Sequence, residues 1–384
     1  MSNINEKSNF ECKIFWNKDC LLPDDALKLD LNISNTTYEE SLLLTTKYDD
    51  TKVFRSPEGL EFETRGDTAK ITSYKGTATN VIIPSTFKHY DKTYKVTSIG
   101  SAFKDCENLT SISISDGVEN IGGHAFADCK NLTSISIPNS VKNIGDHAFE
   151  NCENLTSITI PNSVKNIGKD AFRNCKNLTS ISIPDGVTSI GNYAFENCEN
   201  LTSISIPYSV TSIENGAFRH CAKLTAINVE ENNSYYKSIG GNLYSKNGTT
   251  LIQYAIGQTA ASFSIPSSVT SIDDNAFTYC ENLTSISIPY GVKNIGMVAF
   301  AYCKNLTSIS IPYSVKNIES GAFRYCSSLT SVTFENTSGW LVDIWNSSSS
   351  STEKSNISSV DLANTFTAAR YLTSTYCYNR WERS

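Results

Sequence analysis

The sequence predicts a β-rich repeat solenoid, and three observations support this fold class. Nine of the twelve cysteines follow a step of 23 residues, with one gap of 59 residues. Each step repeats one apolar pattern, L-T-S-I-S-I-P-x-x-V-x-x-I-x-x-x-A-F-x-x-C-x-N. One unit cannot bury its own apolar face, so stacked neighbours must share a core. The cysteines of the step are Cys106, Cys129, Cys152, Cys175, Cys198, Cys221, Cys280, Cys303 and Cys326.

Each unit contains two predicted strands and one tight helical turn. In one unit, Ile135 and Ile137 alternate with serines, as on one face of a β-strand. Pro138 ends this strand because proline cannot donate to a strand ladder. The V-x-x-I segment returns a second apolar stretch to the core, and A-F-x-x-C predicts the helical turn. Units open at Leu109, Leu132, Leu155, Leu178, Leu201, Leu224, Leu283, Leu306 and Leu329.

The pattern L-T-S-I-x-I-P-x-x-V-x-x-I-G-x-x-A-F-x-x-C resembles the BspA-like leucine-rich repeat of bacterial surface antigens. The resemblance covers about residues 59–333, and residues 59–98 look like the N-terminal capping coils of that family. It implies a leucine-rich-repeat solenoid that is displayed on a cell surface and binds host proteins, other cells or glycans. No cofactor is implied.

The repeats fill residues 109–335 and are interrupted once. Residues 229–261 contain Asn247-Gly248 and alternating aromatic and aliphatic residues, which predict a β-hairpin insertion.

The ends of the chain do not match the repeat. Residues 1–56 are expected to form a cap or a small separate domain, and 57–108 to form capping coils. A run of five serines predicts a flexible linker at 336–359. Residues 360–384 are expected to cap the C-terminal end of the array.

Charge and hydropathy exclude several function classes. The net charge is -7, and no basic run could neutralise phosphates, so nucleic acid is not an expected partner. No apolar stretch approaches the roughly 18 residues that span a bilayer, so membrane insertion is not expected. The N-terminus has no apolar segment typical of a secretory signal. The chain as written therefore predicts a cytoplasmic protein, whereas the family resemblance suggests a surface or secreted one.

Catalytic motifs are missing from the sequence. None of the four histidines adjoins a serine or cysteine in a nucleophile motif, and G-x-S-x-G, P-loop and G-x-G-x-x-G patterns do not occur. We therefore expect a non-enzymatic protein.

Several repeat positions indicate structural roles. The cysteines are interpreted as buried apolar residues rather than disulfides. Glu150, Arg173, Glu196 and Arg219 share one position and alternate in sign, which predicts ion pairs that set the coil register. The asparagine before each leucine creates N-L-T sequons in seven units, but a role in satisfying turn backbone is favoured over glycosylation.

One column contains metal-ligand residue types. His124, His147 and Asp170 occupy the same position in successive coils, and zinc accepts imidazole and carboxylate ligands. An exposed polar column without a metal is the favoured interpretation.

Aromatic columns are the predicted binding sites. Tyrosine supplies rigid, amphipathic contact area at interfaces and sugar sites, although stacking between coils explains it equally well. The first column is Tyr279, Tyr302 and Tyr325, and the second is Tyr208, Tyr290 and Tyr313. The insertion adds the candidates Tyr235, Tyr236 and Tyr244.

The predicted function is adhesion, or recognition of a protein or glycan, along the face of the solenoid. An intracellular protein assembly scaffold is the alternative. A more remote one uses the strand hydroxyls, which could bind glycans or ice. These hydroxyls are expected on Ser111, Ser113, Ser134, Ser136, Ser157, Thr159, Ser180 and Ser182.

Overall fold

The computed structural model describes residues 52–346 and 351–383. Residues 50–384 form one compact unit, and its repeats wind into a β-solenoid of about 12 turns with a period near 23 residues. The predicted fold class is therefore confirmed. Residues 1–51 lie outside the described residues, so the expectation of a cap or separate domain at 1–56 stays a prediction for that segment.

The N-terminal end of the array is a small mixed sheet. The first three strands are antiparallel, and the third pairs in parallel with the sixth, which continues into the coils. Phe62 stacks on Phe87 with ring centroids 4.1 Å apart and closes the end of the core. The strands are β1 (Lys52–Arg55), β2 (Leu60–Arg65), β3 (Thr68–Tyr74), β4 (Asn80–Ile83), β5 (Thr86–His89) and β6 (Lys92–Ile99).

Each coil of the first array contributes one long and one short strand. The short strands pair in parallel from coil to coil, and identical repeat positions face each other, as Ile144 faces Ile167. The long strands before the insertion also pair in parallel, but in three separate small sheets. Hydrogen-bonded turns rather than an α-helix form the A-F-x-x-C segment, as where the Cys152 N–H donates to the Phe149 carbonyl. The strands are β7 (Ser111–Ile114), β8 (Asn120–Ile121), β9 (Ser134–Ser136), β10 (Asn143–Ile144), β11 (Ser157–Thr159), β12 (Asn166–Ile167), β13 (Ser180–Ser182), β14 (Ser189–Ile190), β15 (Ser203–Ile206), β16 (Ser212–Ile213) and β17 (Ala226–Val229).

The core is a set of ladders that run along the stack. In β11, Ile158 is buried between exposed Ser157 and Thr159, because neighbouring strand residues point to opposite faces. Phenylalanines of successive coils stack face to face, with ring centroids 5.3 Å apart for Phe149 and Phe172. The spacing of parallel strands therefore sets the spacing of the rings.

The repeat cysteines are free, and all of them except the half-buried Cys106 are buried. Their interpretation as buried apolar residues is confirmed. The structure adds a polar role: Cys175 Sγ donates to the Phe149 carbonyl of the preceding coil at 3.2 Å. Burial raises the pKa of Cys129 and of Cys221 to about 12, so these thiols stay protonated at neutral pH.

Burial predicts which repeat cysteine reacts first. At pH 8 we expect iodoacetamide to label half-buried Cys106 well before Cys175, because alkylation needs an accessible thiolate. Peptide mapping by mass spectrometry measures the order, and labelling in urea is the control in which all repeat cysteines react. Rapid native labelling of Cys175 would contradict the described core.

The ion pairs predicted along the coils are confirmed. Arg173 Nε lies 3.1 Å from Glu196 Oε2, and Arg173 Nη1 lies 3.5 Å from Glu150 Oε1. Arg219 Nη1 lies 2.7 Å from Glu196 Oε1. Each arginine thus contacts a glutamate one coil away.

The asparagines that precede the leucines also contact each other between coils, where Asn154 Nδ2 donates to Asn131 Oδ1 at 3.2 Å. These side chains thus have a structural role, which favours the interpretation of the sequons as products of the repeat.

The insertion forms a three-stranded antiparallel sheet rather than a hairpin alone. Its third strand also pairs in parallel with the next short strand, so the insertion rejoins the solenoid sheet. Tyr254 takes the place of the ladder phenylalanine and stacks on Phe277 at 5.2 Å. The strands are β18 (Tyr236–Ile239), β19 (Asn242–Ser245) and β20 (Thr250–Gln253).

The second array repeats the geometry of the first. Its long strands form a separate parallel sheet, and its short strands continue the sheet of the insertion. The strands are β21 (Ser262–Ser264), β22 (Ser271–Ile272), β23 (Ser285–Ser287), β24 (Asn294–Ile295), β25 (Ser308–Ile311), β26 (Asn317–Ile318) and β27 (Ser331–Phe334).

The expected linker at 336–359 requires correction. Two strands in this region pair antiparallel with each other, and the first also pairs with the last strand of the chain. Trp340 and Val342 are buried, because the apolar residues that flank the serine run pack on the last coil. Serine content alone therefore gave the wrong prediction, although residues 347–350 lie outside the described residues. The strands are β28 (Trp340–Asn346) and β29 (Ser351–Asn356).

The C-terminal residues cover the last coil. Two short helices precede a π-helical segment at Tyr371–Thr375, and the last strand pairs antiparallel with β26. Within the described part of the chain, no helix has the length and apolar character needed to cross a bilayer. The remaining elements are α1 (Ser359–Ala363), α2 (Thr365–Arg370) and β30 (Trp381–Arg383).

Candidate binding surface

The turn position just before the repeat cysteine adopts a left-handed backbone in each coil. In the first array this position carries small polar residues, such as Asn151 and Asn174, both with φ of 58°. In the second array it carries Tyr279, Tyr302 and Tyr325, with φ of 66°, 60° and 61°. Asparagine tolerates this region, whereas a bulky residue there costs on the order of 1–3 kcal/mol. The backbone therefore does not explain the choice of tyrosine.

The first array uses this position for side-chain hydrogen bonds. Asn151 Nδ2 donates to Asp128 Oδ1 at 2.7 Å, and Asn174 Nδ2 donates to Asn151 Oδ1 at 2.6 Å. Asn197 continues the series at 2.7 Å from Asn174. These amides stabilise neighbouring coils, so a structural role accounts for the position in this half.

In the second array, Tyr279, Tyr302 and Tyr325 form what we call the tyrosine ladder. Their ring centroids lie 4.5 Å apart for the first pair and 4.6 Å apart for the second. The His220 ring extends the ladder at one end, 4.2 Å from Tyr279. At the other end the hydroxyls of Tyr325 and Tyr378 are 3.4 Å apart.

Stacking leaves ring edges and hydroxyls, rather than ring faces, open to solvent. Tyr279 and Tyr302 are half-buried, and 44% of Tyr325 is exposed. The Arg219 guanidinium lies 5.4 Å from the Tyr279 centroid, and that of Arg324 lies 4.3 Å from the Tyr325 centroid. The surface therefore combines phenol hydroxyls with the Arg324 guanidinium, whereas the charge of Arg219 is paired with Glu196.

Hydrogen bonds change the acidity of the ladder hydroxyls. The Tyr378 hydroxyl and then the Arg324 guanidinium hydrogen-bond to Tyr325 and lower its pKa. Burial raises the pKa of Tyr279. The Tyr325 oxygen already accepts these hydrogen bonds, so its more acidic hydroxyl is the one in the ladder most suited to donate a hydrogen bond to a partner.

The second column lies at the end of the long strands, whereas the tyrosine ladder lies before their beginning. Tyr290 is 73% exposed and Tyr313 62%, and the Arg383 guanidinium lies 4.9 Å from the Tyr313 centroid. Tyr208 lies before the insertion and is 48% exposed. Along the chain, the exposed hydroxyls of Ser308 and its neighbours separate this column from the ladder.

The tyrosines of the insertion do not form a common surface. Tyr235 is exposed, whereas the Tyr236 hydroxyl accepts a hydrogen bond from the Ile213 N–H at 2.9 Å. Tyr244 is fully buried, so its assignment to a binding surface is wrong. Alternation along β19 could not reveal which face packs on the core. Burial raises the pKa of Tyr244 to about 12.

The structure brings the candidate metal residues together. The rings of His124 and His147 are parallel, with centroids 4.5 Å apart, and Asp170 Oδ2 lies 3.8 Å from His147 Nε2. Glu150 also joins the group, 2.9 Å from His147 Nδ1. Glu150 was not predicted as part of this group, although it lies only three residues after His147 in the same turn.

The comparisons with known proteins agree with the fold. The BspA type leucine rich repeat region matches in six copies, over residues 97–225, 142–260 and 254–379. No curated protein matches the chain.

Similar solved structures are bacterial. The pneumococcal vaccine antigen PcpA has a TM-score of 0.63 and 22% identity, covering 75% of this chain and 82% of its own. A leucine rich cell surface protein from Faecalibacterium prausnitzii has a TM-score of 0.56 and 26% identity, covering 74% and 95%. A leucine-rich repeat protein from Eubacterium ventriosum has a TM-score of 0.50 and 25% identity, covering 74% and 72%. The chain belongs to the BspA-type leucine-rich repeat family.

Proposed function

We propose that the chain is a recognition scaffold that binds a protein partner through the tyrosine ladder. The supporting observation is the left-handed backbone at Tyr279, Tyr302 and Tyr325, where the coils before the insertion use aspartate or asparagine and, in the last of them, His220. A strained residue without a backbone reason favours a functional role. Tyrosine and arginine are also the residue types most enriched at the energetic centres of protein interfaces.

The ring geometry favours a protein over a glycan at this ladder. Both faces of Tyr302 are covered by neighbouring rings. A sugar that stacks on an aromatic residue needs an open ring face, whereas a protein partner can use ring edges, hydroxyls and Arg324. The Arg324 guanidinium favours a partner with acidic residues, whereas Arg219 is already paired with Glu196.

A cell-surface role fits this proposal best. The similar structure from Faecalibacterium prausnitzii, with 26% identity, is that of a leucine rich cell surface protein, which supports adhesion. An intracellular assembly scaffold remains the alternative, and it would use the same ladder with a cytoplasmic partner.

Glycan binding at the second column is a second candidate function. Tyr290 is 73% exposed and follows the exposed hydroxyl of Ser287 by three residues. An open ring beside strand hydroxyls suits sugar stacking with hydrogen bonds. The more remote hydroxyl-array binder would use the strand serines without either column.

Binding of the purified chain to arrayed matrix proteins and glycans tests these proposals. We expect a protein ligand whose affinity falls at least about 30-fold in the variant Tyr279→Asn/Tyr302→Asn/Tyr325→Asn, as for an interface centre worth about 2 kcal/mol. Asparagine keeps the left-handed backbone that Asn151 adopts at the same position. The matched control, Tyr208→Ala/Tyr290→Ala/Tyr313→Ala, removes three tyrosines from the other column and should bind normally.

The other possible outcomes would count against recognition of a protein partner through the tyrosine ladder. A glycan ligand that only the second-column variant loses would support the second candidate. A ligand that both variants retain, or the absence of any ligand on the array, would contradict recognition through the ladder at the cell surface.

A further inference from the structure

The residues around His124 have no part in the proposed interface, yet they place metal-ligand atoms close together. One donor atom each from His124, His147 and Glu150 can be chosen so that all three lie within 4.8 Å of one another. Asp170 adds a carboxylate 3.8 Å from His147 Nε2. Two imidazoles and the Glu150 carboxylate from two successive coils therefore lie together, and the Asp170 carboxylate of the next coil lies on the Nε2 side of His147.

Two buried polar atoms in this group lack hydrogen-bond partners. Within residues 52–346 and 351–383, nothing hydrogen-bonds to His124 Nδ1 or Asp170 Oδ1, although both atoms are buried. Asp170 as a whole is only 2% exposed. Buried polar atoms are nearly always satisfied by protein, water or an ion. His124 Nδ1 is therefore available to an additional group, whereas Asp170 Oδ1 has only the Arg173 guanidinium nearby, at 3.7 Å.

The backbone does not require histidine at this position. His124 and His147 have φ of 56° and 57°, and other coils place Gly216 or Asn275 at the same left-handed position. Glycine and asparagine suit that region better than histidine. The two imidazoles therefore call for an explanation other than turn geometry.

We propose that His124, His147 and Glu150 bind a divalent transition-metal ion, while Asp170 lies beside the other imidazole nitrogen of His147. Zinc fits this set of nitrogen and oxygen donors. Ligand atoms around tetrahedral zinc lie roughly 3.3 Å apart, so the parallel rings must tilt toward each other. The hydrogen bond between His147 and Glu150 must also break, so that both side chains can bind the ion.

Neighbouring cations limit the affinity of this site. Arg173 Nη1 lies 3.5 Å from Glu150 Oε1 and 3.7 Å from Asp170 Oδ1, and Lys169 Nζ lies 3.8 Å from Asp170 Oδ2. These groups already neutralise part of the carboxylate charge that would attract a metal ion. We therefore expect binding in the micromolar range rather than the tighter binding of structural zinc sites.

Calorimetric titration of the reduced whole chain with zinc chloride tests the site. We expect one ion per chain and a loss of affinity of at least tenfold in His124→Asn/His147→Asn. Asparagine preserves the backbone, since Asn275 adopts it. The matched control, His89→Asn/His220→Asn, changes the other two histidines and should bind zinc like the unmodified chain.

The spectrum of bound cobalt distinguishes binding at this site from binding to the thiols of the chain. Cobalt bound to imidazole and carboxylate gives visible bands without thiolate charge-transfer absorption, and His124→Asn/His147→Asn should lose those bands. Zinc should also raise the thermal midpoint of the unmodified chain but not of that variant. No heat on titration, equal affinity in both variants, or a thiolate spectrum would each overturn the proposal.

Discussion

Replacement of Phe172 by alanine is expected to lower the free energy of unfolding by about 3–5 kcal/mol. The side chain is fully buried, and its ring lies 5.3 Å from that of Phe149 and 5.4 Å from that of Phe195. Removal of the ring leaves a cavity in the middle of the ladder. The parallel sheets on either side hold the coils at a fixed spacing, so the cavity cannot easily collapse.

Urea unfolding followed by circular dichroism measures this loss. Phe366→Ala is the control, because 64% of Phe366 is exposed and its removal should cost less than about 0.5 kcal/mol. A loss below about 1 kcal/mol for Phe172→Ala would mean that the phenylalanine ladder does not hold the coils together.

Deletion of one coil is expected to cause a salt-dependent loss of stability that deletion of two coils does not cause. Removal of residues 155–177 brings Glu150 beside Glu196, because Arg173 is lost. Removal of 155–200 brings Glu150 beside Arg219 and restores opposite charges. Both deletions preserve the period of the core ladders. We therefore expect charge repulsion to lower the free energy of unfolding of the one-coil deletion by about 1 kcal/mol at low salt, a loss that the two-coil deletion does not share.

Unfolding of both deletions at low and high salt tests this prediction. Salt screens the repulsion, so the difference should shrink as ionic strength rises. Glu196→Gln in the one-coil deletion is the control that should recover part of the stability. A solenoid without charge-defined register would instead show the same salt dependence in both deletions.

The coils were predictable because every structural residue recurs with one period. Ile158 and Phe172 belong to columns whose members face the core. The pattern of apolar residues in one coil therefore predicts which residues are buried in every other coil. The ion pair between Arg219 and Glu196 followed in the same way, since parallel pairing brings equal repeat positions together. Repetition therefore carries long-range contact information that a single unit lacks.

Features outside the period could not be predicted in the same way. Tyr244 occurs once, and no neighbouring coil indicates that it faces the core. The strand at Trp340–Asn346 depends on pairing with residues about 40 positions later, which composition does not reveal. The left-handed backbone at Tyr302 was also missed, although asparagine at the same position in earlier coils was an available signal.

The stability of Tyr279→Asn/Tyr302→Asn/Tyr325→Asn distinguishes recognition from packing without any ligand. Loss of each ring contact costs about 0.5–1.5 kcal/mol, whereas relief of each left-handed tyrosine returns a similar amount. The new amides can also continue the hydrogen bonds seen between Asn174 and Asn151. If the ladder is a binding surface, the free energy of unfolding should stay within about 1 kcal/mol of the unmodified chain. A loss of more than about 3 kcal/mol would show instead that the tyrosines pack the coils together.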